Sequence, residues 1–282
     1  MAPQERRVEP SIWLRPWVSE FRVAWTSPGG IYDLVHVPDG EAGLLFRATG
    51  EGTGDLSAMG PVRRARYKTV PAARFYVCVC LHPGRARRAL GLPLCELTDR
   101  IVPLEALWNS LGRTLCEQLI ESGPSRAVPL FEEALRTFTA LQKTEPAHVV
   151  NQIVRAIDEA PEVSVDEHAR SIGLSTRQLR HLFRVELGMG PKHYVRIARV
   201  RRLLVKARTK VAWADLALDA GFYDQAHMTA DFRDLLNSTP DAFLSGRTRR
   251  NSYSEFHNPI ISPNSLEPTP SNERNGNSQL FR

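Results

Sequence analysis

The chain has 282 residues, 42% of them hydrophobic and 24% charged, with a formal net charge of +6. These are globular proportions at a length that suggests two domains, and a run of about 18 apolar residues, as a membrane-spanning helix needs, does not occur. The opening Met1-Ala2-Pro3-Gln4-Glu5-Arg6-Arg7 lacks the apolar stretch of a secretory signal. The four cysteines, Cys78, Cys80, Cys95 and Cys116, are too few for a disulfide scaffold, so a reducing cytoplasm is the expected location.

Residues 1–142 begin as strands and turns. Pro28-Gly29-Gly30, Pro38-Asp39-Gly40, Gly50 to Gly54, Gly60-Pro61 and Pro83-Gly84 punctuate short apolar runs: Ile31 to Val37, Leu44 to Phe46, and Phe75 to Leu81. That pattern predicts a small antiparallel barrel or sandwich. Gly50 to Gly54 lacks the Lys-Ser/Thr of a phosphate loop and reads as a hairpin turn. From Leu104 the period becomes helical, with Leu104, Leu107, Trp108, Leu111, Leu115 and Leu119 on one face. A second helix is expected after Pro129, carrying Leu130, Phe131, Ala134, Leu135, Phe138 and Leu141. The two faces carry more large apolar residues than one small sheet is expected to need, so one of them is expected at a two-fold interface. The boundary is placed at Lys143 to Ala147.

Residues 147–250 carry the strongest signal. A helix with Val149, Val150, Ile153, Val154 and Ile157 on one face ends at Pro161. Ser164-Val165-Asp166-Glu167 and Ser175-Thr176-Arg177-Gln178 both read as capping boxes, in which the serine hydroxyl accepts from a free backbone N–H and the Glu or Gln reaches back. Gly173 turns the chain between the two helices they open, and Gly188 closes the second, the pattern of a helix-turn-helix unit. The layout recurs about 50 residues later. There Trp213 to Ala220 is a short helix, Gly221 the turn, Asp224 an N-cap, and Met228 and Phe232 the inward pair. Gly188-Met189-Gly190-Pro191 and Asn237-Ser238-Thr239-Pro240 end the two units alike.

One helix, Pro191 to about Ala207, joins them. Lys192, Arg196, Arg199, Arg201, Arg202, Lys206, Arg208 and Lys210 are basic with no acid between them. Lys192, Arg196, Arg199 and Lys206 fall near one stripe. Net charge is +2 over residues 1–142, +5 over 151–250 and −1 over 251–282. The excess in the helical half predicts a polyanionic partner and phosphate contacts along the joining helix. Residues 251–282, rich in Ser, Asn and Pro, are expected to be disordered.

These blocks resemble the DNA-binding domain of the AraC/XylS family of bacterial transcription regulators. The resemblance is carried by Ser175-Thr176-Arg177-Gln178-Leu179-Arg180-His181-Leu182-Phe183, Leu187-Gly188-Met189-Gly190-Pro191, Arg202-Leu203-Leu204 and Ala220-Gly221-Phe222-Tyr223-Asp224-Gln225-Ala226-His227-Met228. It implies two recognition helices in successive major grooves, about 34 Å apart. Thr176, Arg177, Arg180, His181 and Arg184 of the first helix, and Gln225, Ala226, Thr229, Ala230 and Arg233 of the second, are its expected DNA-facing positions, with Lys192, Arg196 and Arg199 on phosphates. Arg suits guanine O6/N7 and Gln suits adenine N6/N7. Many family members are basic where this chain has Ala230, and Asp231 follows, so the first unit is expected to supply most of the specificity.

The N-terminal half, through Val37-Pro38-Asp39-Gly40 and Leu90 to Leu104, resembles an uncharacterised cupin-like domain found before such DNA-binding domains, which implies a sensing or dimerising module. Trp13, Trp17, Trp25, Phe46 and Tyr76 are candidates to line an apolar pocket there, with core packing the simpler role. Cys78 and Cys80 share a strand face and, with His36 and His82, are the weak candidates for a metal; their spacing lacks the specificity of a zinc motif.

The resulting expectation is an α+β chain, a β-rich sensor domain before an all-α DNA-binding domain. It is a non-enzymatic, ligand-responsive transcription regulator without cofactor, acting in the cytoplasm on double-stranded DNA. A small-molecule effector, RNA polymerase and a second copy are its further partners, and a membrane is not. The alternatives are an enzyme or metal site in the β-rich domain with an accessory nucleic-acid module, and an adaptor that binds RNA.

Overall fold

The computed structural model describes residues 4–25, 30–71, 73–140, 148–207 and 213–245. The expected boundary at Lys143 to Ala147, the tail 251–282, and the basic residues Arg208 and Lys210 lie outside them, as does Leu141. The chain is α+β. Its strands are β1 (Gln4–Val8), β2 (Val18–Trp25), β3 (Ile31–His36), β4 (Ala42–Gly50), β5 (Thr53–Met59), β6 (Arg66–Pro71), β7 (Phe75–Leu81) and β8 (Ile101–Pro103). Six form one antiparallel sheet in the order β1-β2-β7-β4-β5-β8, and β3 and β6 pair separately. The turn between β4 and β5 falls within Gly50 to Gly54, as the glycines suggest.

Every residue of β7 is buried because both faces of the sheet are covered. Phe75, Val77, Val79 and Leu81 meet the helices, together with Phe21, Val23, Leu44 and Phe46. Tyr76, Cys78 and Cys80 point the other way, with Ala24, Leu45 and Met59, and Val70 of β6 packs on that face. Period-two alternation therefore separates Phe46 from Tyr76, so the five aromatics do not line one pocket. Trp17 and Trp25 pack on the helix-side core, and Trp13 is 40% exposed.

After the short helix α1 (Ala86–Leu90) and a 3-10 turn at Leu94–Glu96, the expected helix through Leu104–Leu119 is split into α2 (Glu105–Trp108) and α3 (Ser110–Ser122). Asn109 takes the left-handed region at φ 52°, which breaks the helix yet leaves the apolar face aligned across the break. The next helix, α4 (Pro124–Ala140), begins six residues earlier than expected, and Pro129 sits inside it. Pro124 suits the first turn, and Pro129 costs only one backbone bond that close to the start. Leu104, Trp108, Leu115, Leu119, Phe131 and Leu135 are buried against the sheet, so these faces are used within the domain rather than offered to a second copy.

The helices α5 (His148–Glu159), α6 (Val165–Ser171), α7 (Thr176–Leu187), α8 (Pro191–Lys206), α9 (Trp213–Asp219), α10 (Gln225–Leu236) and α11 (Pro240–Leu244) follow. Both capping boxes form: the side chains of Ser164 and Ser175 accept from the backbone N–H of Glu167 and Gln178, whose own side chains reach back. Their core combines Ile153 and Ile157 of α5, Leu179 and Phe183 of α7, Ile197 and Leu203 of α8, and Met228 and Phe232 of α10.

The helical core is not self-contained. Val35 and Val37 belong to it, and Ala65 and Tyr67 pack against it. The Ala65 N–H donates to the Leu235 carbonyl at 2.6 Å, and the Tyr67 hydroxyl donates to the Leu236 carbonyl. Gly40 marks the close approach. Its φ is +75°, and a Cβ there would stand 2.7 Å from Cε2 of Tyr194 on α8. Gly40→Ala therefore combines backbone strain with a clash at the domain junction and is expected to cost about 1–3 kcal/mol. Urea unfolding of the full chain measures this, and an unchanged midpoint would show that the junction is looser than described.

Candidate nucleic-acid interface

Each helix-turn-helix unit is built by local chemistry. Gly173 at φ 71° and Gly221 at φ 88° turn the chain between the short and the long helix of each unit. Asp224 caps α10 by accepting from the His227 N–H at 2.7 Å. The long helices end on left-handed residues, Gly188 at φ 68° and Asn237 at φ 48°, and Pro191 and Pro240 then open α8 and α11. The likeness of the two unit ends thus extends to conformation.

On α7, Arg177, Arg180, His181 and Arg184 are all exposed. Among the described residues none of the three arginines has an acidic partner within salt-bridge distance. Thr176 is held by its own unit, donating to Asp166 at 2.8 Å. On α10, Gln225, Ala226, Ala230 and Arg233 are exposed, and the Thr229 hydroxyl is turned back onto the Gln225 carbonyl at 2.8 Å. Lys192 is exposed at the start of α8.

The rest of the α8 stripe is placed differently from what charge counting suggests. Arg196 donates from Nε to Asp231 at 2.8 Å and from Nη2 to Asp234 at 2.7 Å, which ties α8 to α10. Arg199 donates to the Pro161 carbonyl at 2.9 Å, and Arg202 to the Glu159 carbonyl at 3.1 Å. Lys206 pairs with Asp219. The counter-charges missing from the local sequence are supplied from other helices, so the cation run by itself no longer requires phosphates. Asp231, buried at 7% exposure, is a bracket for Arg196 rather than an acid turned toward a polyanion.

Arg201, outside that stripe, points to the other domain. Nη1 lies 3.4 Å from the Asp39 carbonyl oxygen in the N-terminal domain. Burial opposes its charge, but Asp158, Glu41 and Asp39 outweigh that and hold its pKa above the ordinary arginine value. Asp158 accepts from the Tyr194 hydroxyl at 3.1 Å. Burial raises the pKa of Glu41 to about 7, with Asp39 and Glu20 adding to the rise while Arg201 and Arg22 oppose it. Burial also raises Asp39 and Asp158. His36, lining the same cavity of about 30 Å3 as Glu41, is lowered to about 4 by burial and by Arg66 and Arg22.

Of the weak metal candidates, His36, Cys78 and Cys80 line that same small cavity, and His82 is not part of its lining. Among the described residues no group of three or more His, Cys, Asp or Glu side chains is disposed to hold a metal ion. The Cys80 thiol is raised by its hydrogen bond to Cys78 and by burial, the opposite of a nucleophile's environment. No helix among the described residues is long and apolar enough to cross a membrane.

Two short-helix, turn, long-helix units joined by a single helix make a double helix-turn-helix domain. Residues 168–246 match the family model of a helix-turn-helix domain, which is of the AraC type, and residues 6–103 match a domain of unknown function (DUF6597). The chain carries an AraC-type helix-turn-helix domain behind a domain of that second family. Among solved structures it is similar to ToxT from Vibrio cholerae O395, 10% identical over 81% of this chain and 97% of that one, with a TM-score of 0.41. A second ToxT structure from Vibrio cholerae, at 1.65 Å resolution, is 9% identical over 79% and 96%, with a TM-score of 0.40. Likeness at that level carries no functional weight. No curated protein matches the chain.

Sequence reasoning missed Asp231 and Asp234 as partners of Arg196, Glu162 as the acid 3.5 Å from Arg202, and the cross-domain position of Arg201, because each lies far away along the chain. The raised Glu41 carboxyl has a consequence for pH. Between its ordinary value near 4.5 and about 7, the folded chain holds a proton that the unfolded chain has released. Its contribution is therefore full below the lower value and lost as pH rises through the upper one, by up to about 3 kcal/mol. Asp39 and Asp158 act in the same direction, whereas His36, lowered to about 4 by burial, acts oppositely: between about 4 and 6.5 the unfolded chain holds its proton and the folded chain does not, so above pH 6.5 the Glu41 effect stands clear of it. Glu41→Gln should remove much of the difference in urea midpoint between pH 6 and pH 8, and an undiminished difference would assign it to other groups.

Proposed function

We propose that this regulator binds duplex DNA sequence-specifically, that α7 supplies most of the discrimination, and that the N-terminal domain makes binding responsive to a small-molecule effector. The observation that carries the reading is the exposed Arg177, Arg180, His181 and Arg184 on α7, a helix that opens on a satisfied capping box and is backed by a buried core. Arginine reaches guanine O6/N7 with two hydrogen bonds, and such a pair discriminates by about 1–3 kcal/mol. On α10 the corresponding surface is Gln225, Ala226 and Ala230, with Arg233 a turn further on and Thr229 occupied by its own helix. Lys192 is the α8 residue best placed for a phosphate. The action is binding without bond chemistry, in the cytoplasm, with RNA polymerase and a second copy as further partners.

A base-by-base substitution scan of a selected duplex site tests this. Arg177→Ala or Arg180→Ala should relax discrimination at one or two base pairs in one half of the site, by about 1–3 kcal/mol each, while Thr229→Ala changes little. Equal mismatch penalties in both halves, with an unaltered profile for both arginine variants, would refute the asymmetry.

Salt supplies an independent check. Affinity should fall log-linearly with salt concentration, by about 0.9 per neutralised phosphate. Lys192→Ala should reduce that slope, and Arg199→Ala should leave it unchanged because its guanidinium is already committed to the Pro161 carbonyl. Equal losses of slope in the two variants would show that Arg199 turns outward on DNA.

A further inference from the structure

A cleft of about 1190 Å3 lies between the two domains, lined by the β5–β6 connection and β6 on one side and by α7, the start of α8 and the end of α10 on the other. Its charge is one-sided. Asp99 is shared by Arg63 and Arg66, and Asp234 by Arg64 and Arg196. Arg180 and Arg184 also line the cleft and have no acidic partner there. Lys68 lines it too, and its ammonium nitrogen is enclosed with no hydrogen-bond partner.

An enclosed ammonium without a partner is costly, and a bound anion would relieve it. Burial, with Arg47 and Arg66, already pushes the Lys68 pKa down. Walls of low dielectric around one sign of charge also concentrate anions. The covered ammonium meets an anion only when the flexible Lys68 side chain turns into the cleft, a short movement that a compact ligand can follow and a duplex backbone cannot. Tyr67 and Met189 add an apolar portion to the lining.

We propose that this cleft binds a small organic polyanion, bearing phosphate or carboxylate groups, that bridges Lys68 of the N-terminal domain and Arg180 and Arg184 of α7. The occupant takes up two of the guanidiniums that α7 offers to DNA, so anion and duplex oppose one another. Linkage makes the effect reciprocal. This consequence rests on the proposed role of α7, whereas anion binding itself does not.

The experiment is calorimetric titration of the full chain with pyrophosphate, and in a second arm with citrate, at ionic strength held constant with chloride. One saturable site is expected, with affinity for the better anion reduced about tenfold or more by Lys68→Met and by Arg184→Ala. Saturation by pyrophosphate alone identifies a phosphate ligand, and saturation by citrate alone a carboxylate one; either supports the cleft. Arg184→Ala, at an exposed helical position, keeps the test decisive if Lys68→Met fails to fold. No saturable binding of either anion, or binding indifferent to both substitutions, overturns the proposal. Weaker duplex binding by Lys68→Met without any anion binding also overturns it and assigns the cleft to the DNA backbone. In a parallel duplex titration, the saturating anion should raise the duplex Kd of the wild type more than chloride of equal ionic strength, and Lys68→Met should abolish that excess. If no duplex binds at any salt, the reading of α7 fails, while the anion titration still decides whether the cleft is an anion site.

Discussion

The arrangement depends on Arg201 leaving the helix on which it sits. Arg201 carries its charge from α8 to Asp39 and Glu41 in the N-terminal domain, with Asp158 of α5 and Tyr194 closing the cluster. Partly buried ions of this kind do not by themselves make a protein more stable, because desolvation offsets the attraction. Removing one partner is different, since the remaining charges stay behind without compensation. The cluster therefore favours one relative placement of the domains. That placement lets the β5–β6 segment meet the joining helix and the second helix-turn-helix unit: Arg63 offers its carbonyl to His193 at the start of α8, and Ala65 and Tyr67 bond to the carbonyls at the end of α10.

This division of labour among the cations of α8 explains how a basic helix serves as a structural axle. Arg196, Arg199 and Arg202 satisfy carboxylates and helix-end carbonyls, holding α8 to α5 and α10. Lys192 stays outside, and Arg177, Arg180 and Arg184 stand exposed on α7. The N-terminal domain packs at the far end of that helix, where Glu186 pairs with Arg87 and the Thr98 hydroxyl donates to the Gly188 carbonyl at 2.7 Å. The first turns of α7, with Arg177 and Arg180, remain open. Docking thus uses one end of α7, the cations proposed to read bases stand at the other, and the cationic cleft lies between them.

Local signals were legible in the sequence wherever chemistry and conformation meet within four residues. Ser164 and Ser175 with their Glu and Gln partners, Gly173 and Gly221 at the turns, and Pro191 at a first turn all form as read. The alternation in β7 was legible too, including the shared face of Cys78 and Cys80. Reading broke down where distant segments decide. Asn109 breaks a continuous apolar stripe with one left-handed residue, a conformation that the stripe itself does not encode. Charge counting along α8 failed because Asp231 and Asp234 lie on another helix and Asp39 in another domain. The union of Val35, Val37 and Tyr67 with the helical core was invisible, since a β-branched or aromatic strand residue reads the same against a sheet or against helices.

Whether the Arg201 cluster holds the two domains in one placement is decided by amide hydrogen exchange at Ala65. That N–H is bonded across the domain junction to the Leu235 carbonyl. In the wild-type chain it should exchange slowly, and in Arg201→Met its protection should fall while amides within β2 and β7 keep theirs. Ala65 protection that survives Arg201→Met unchanged would contradict the role given to the cluster and place the hold on the apolar contacts of Val35, Val37 and Tyr67 alone.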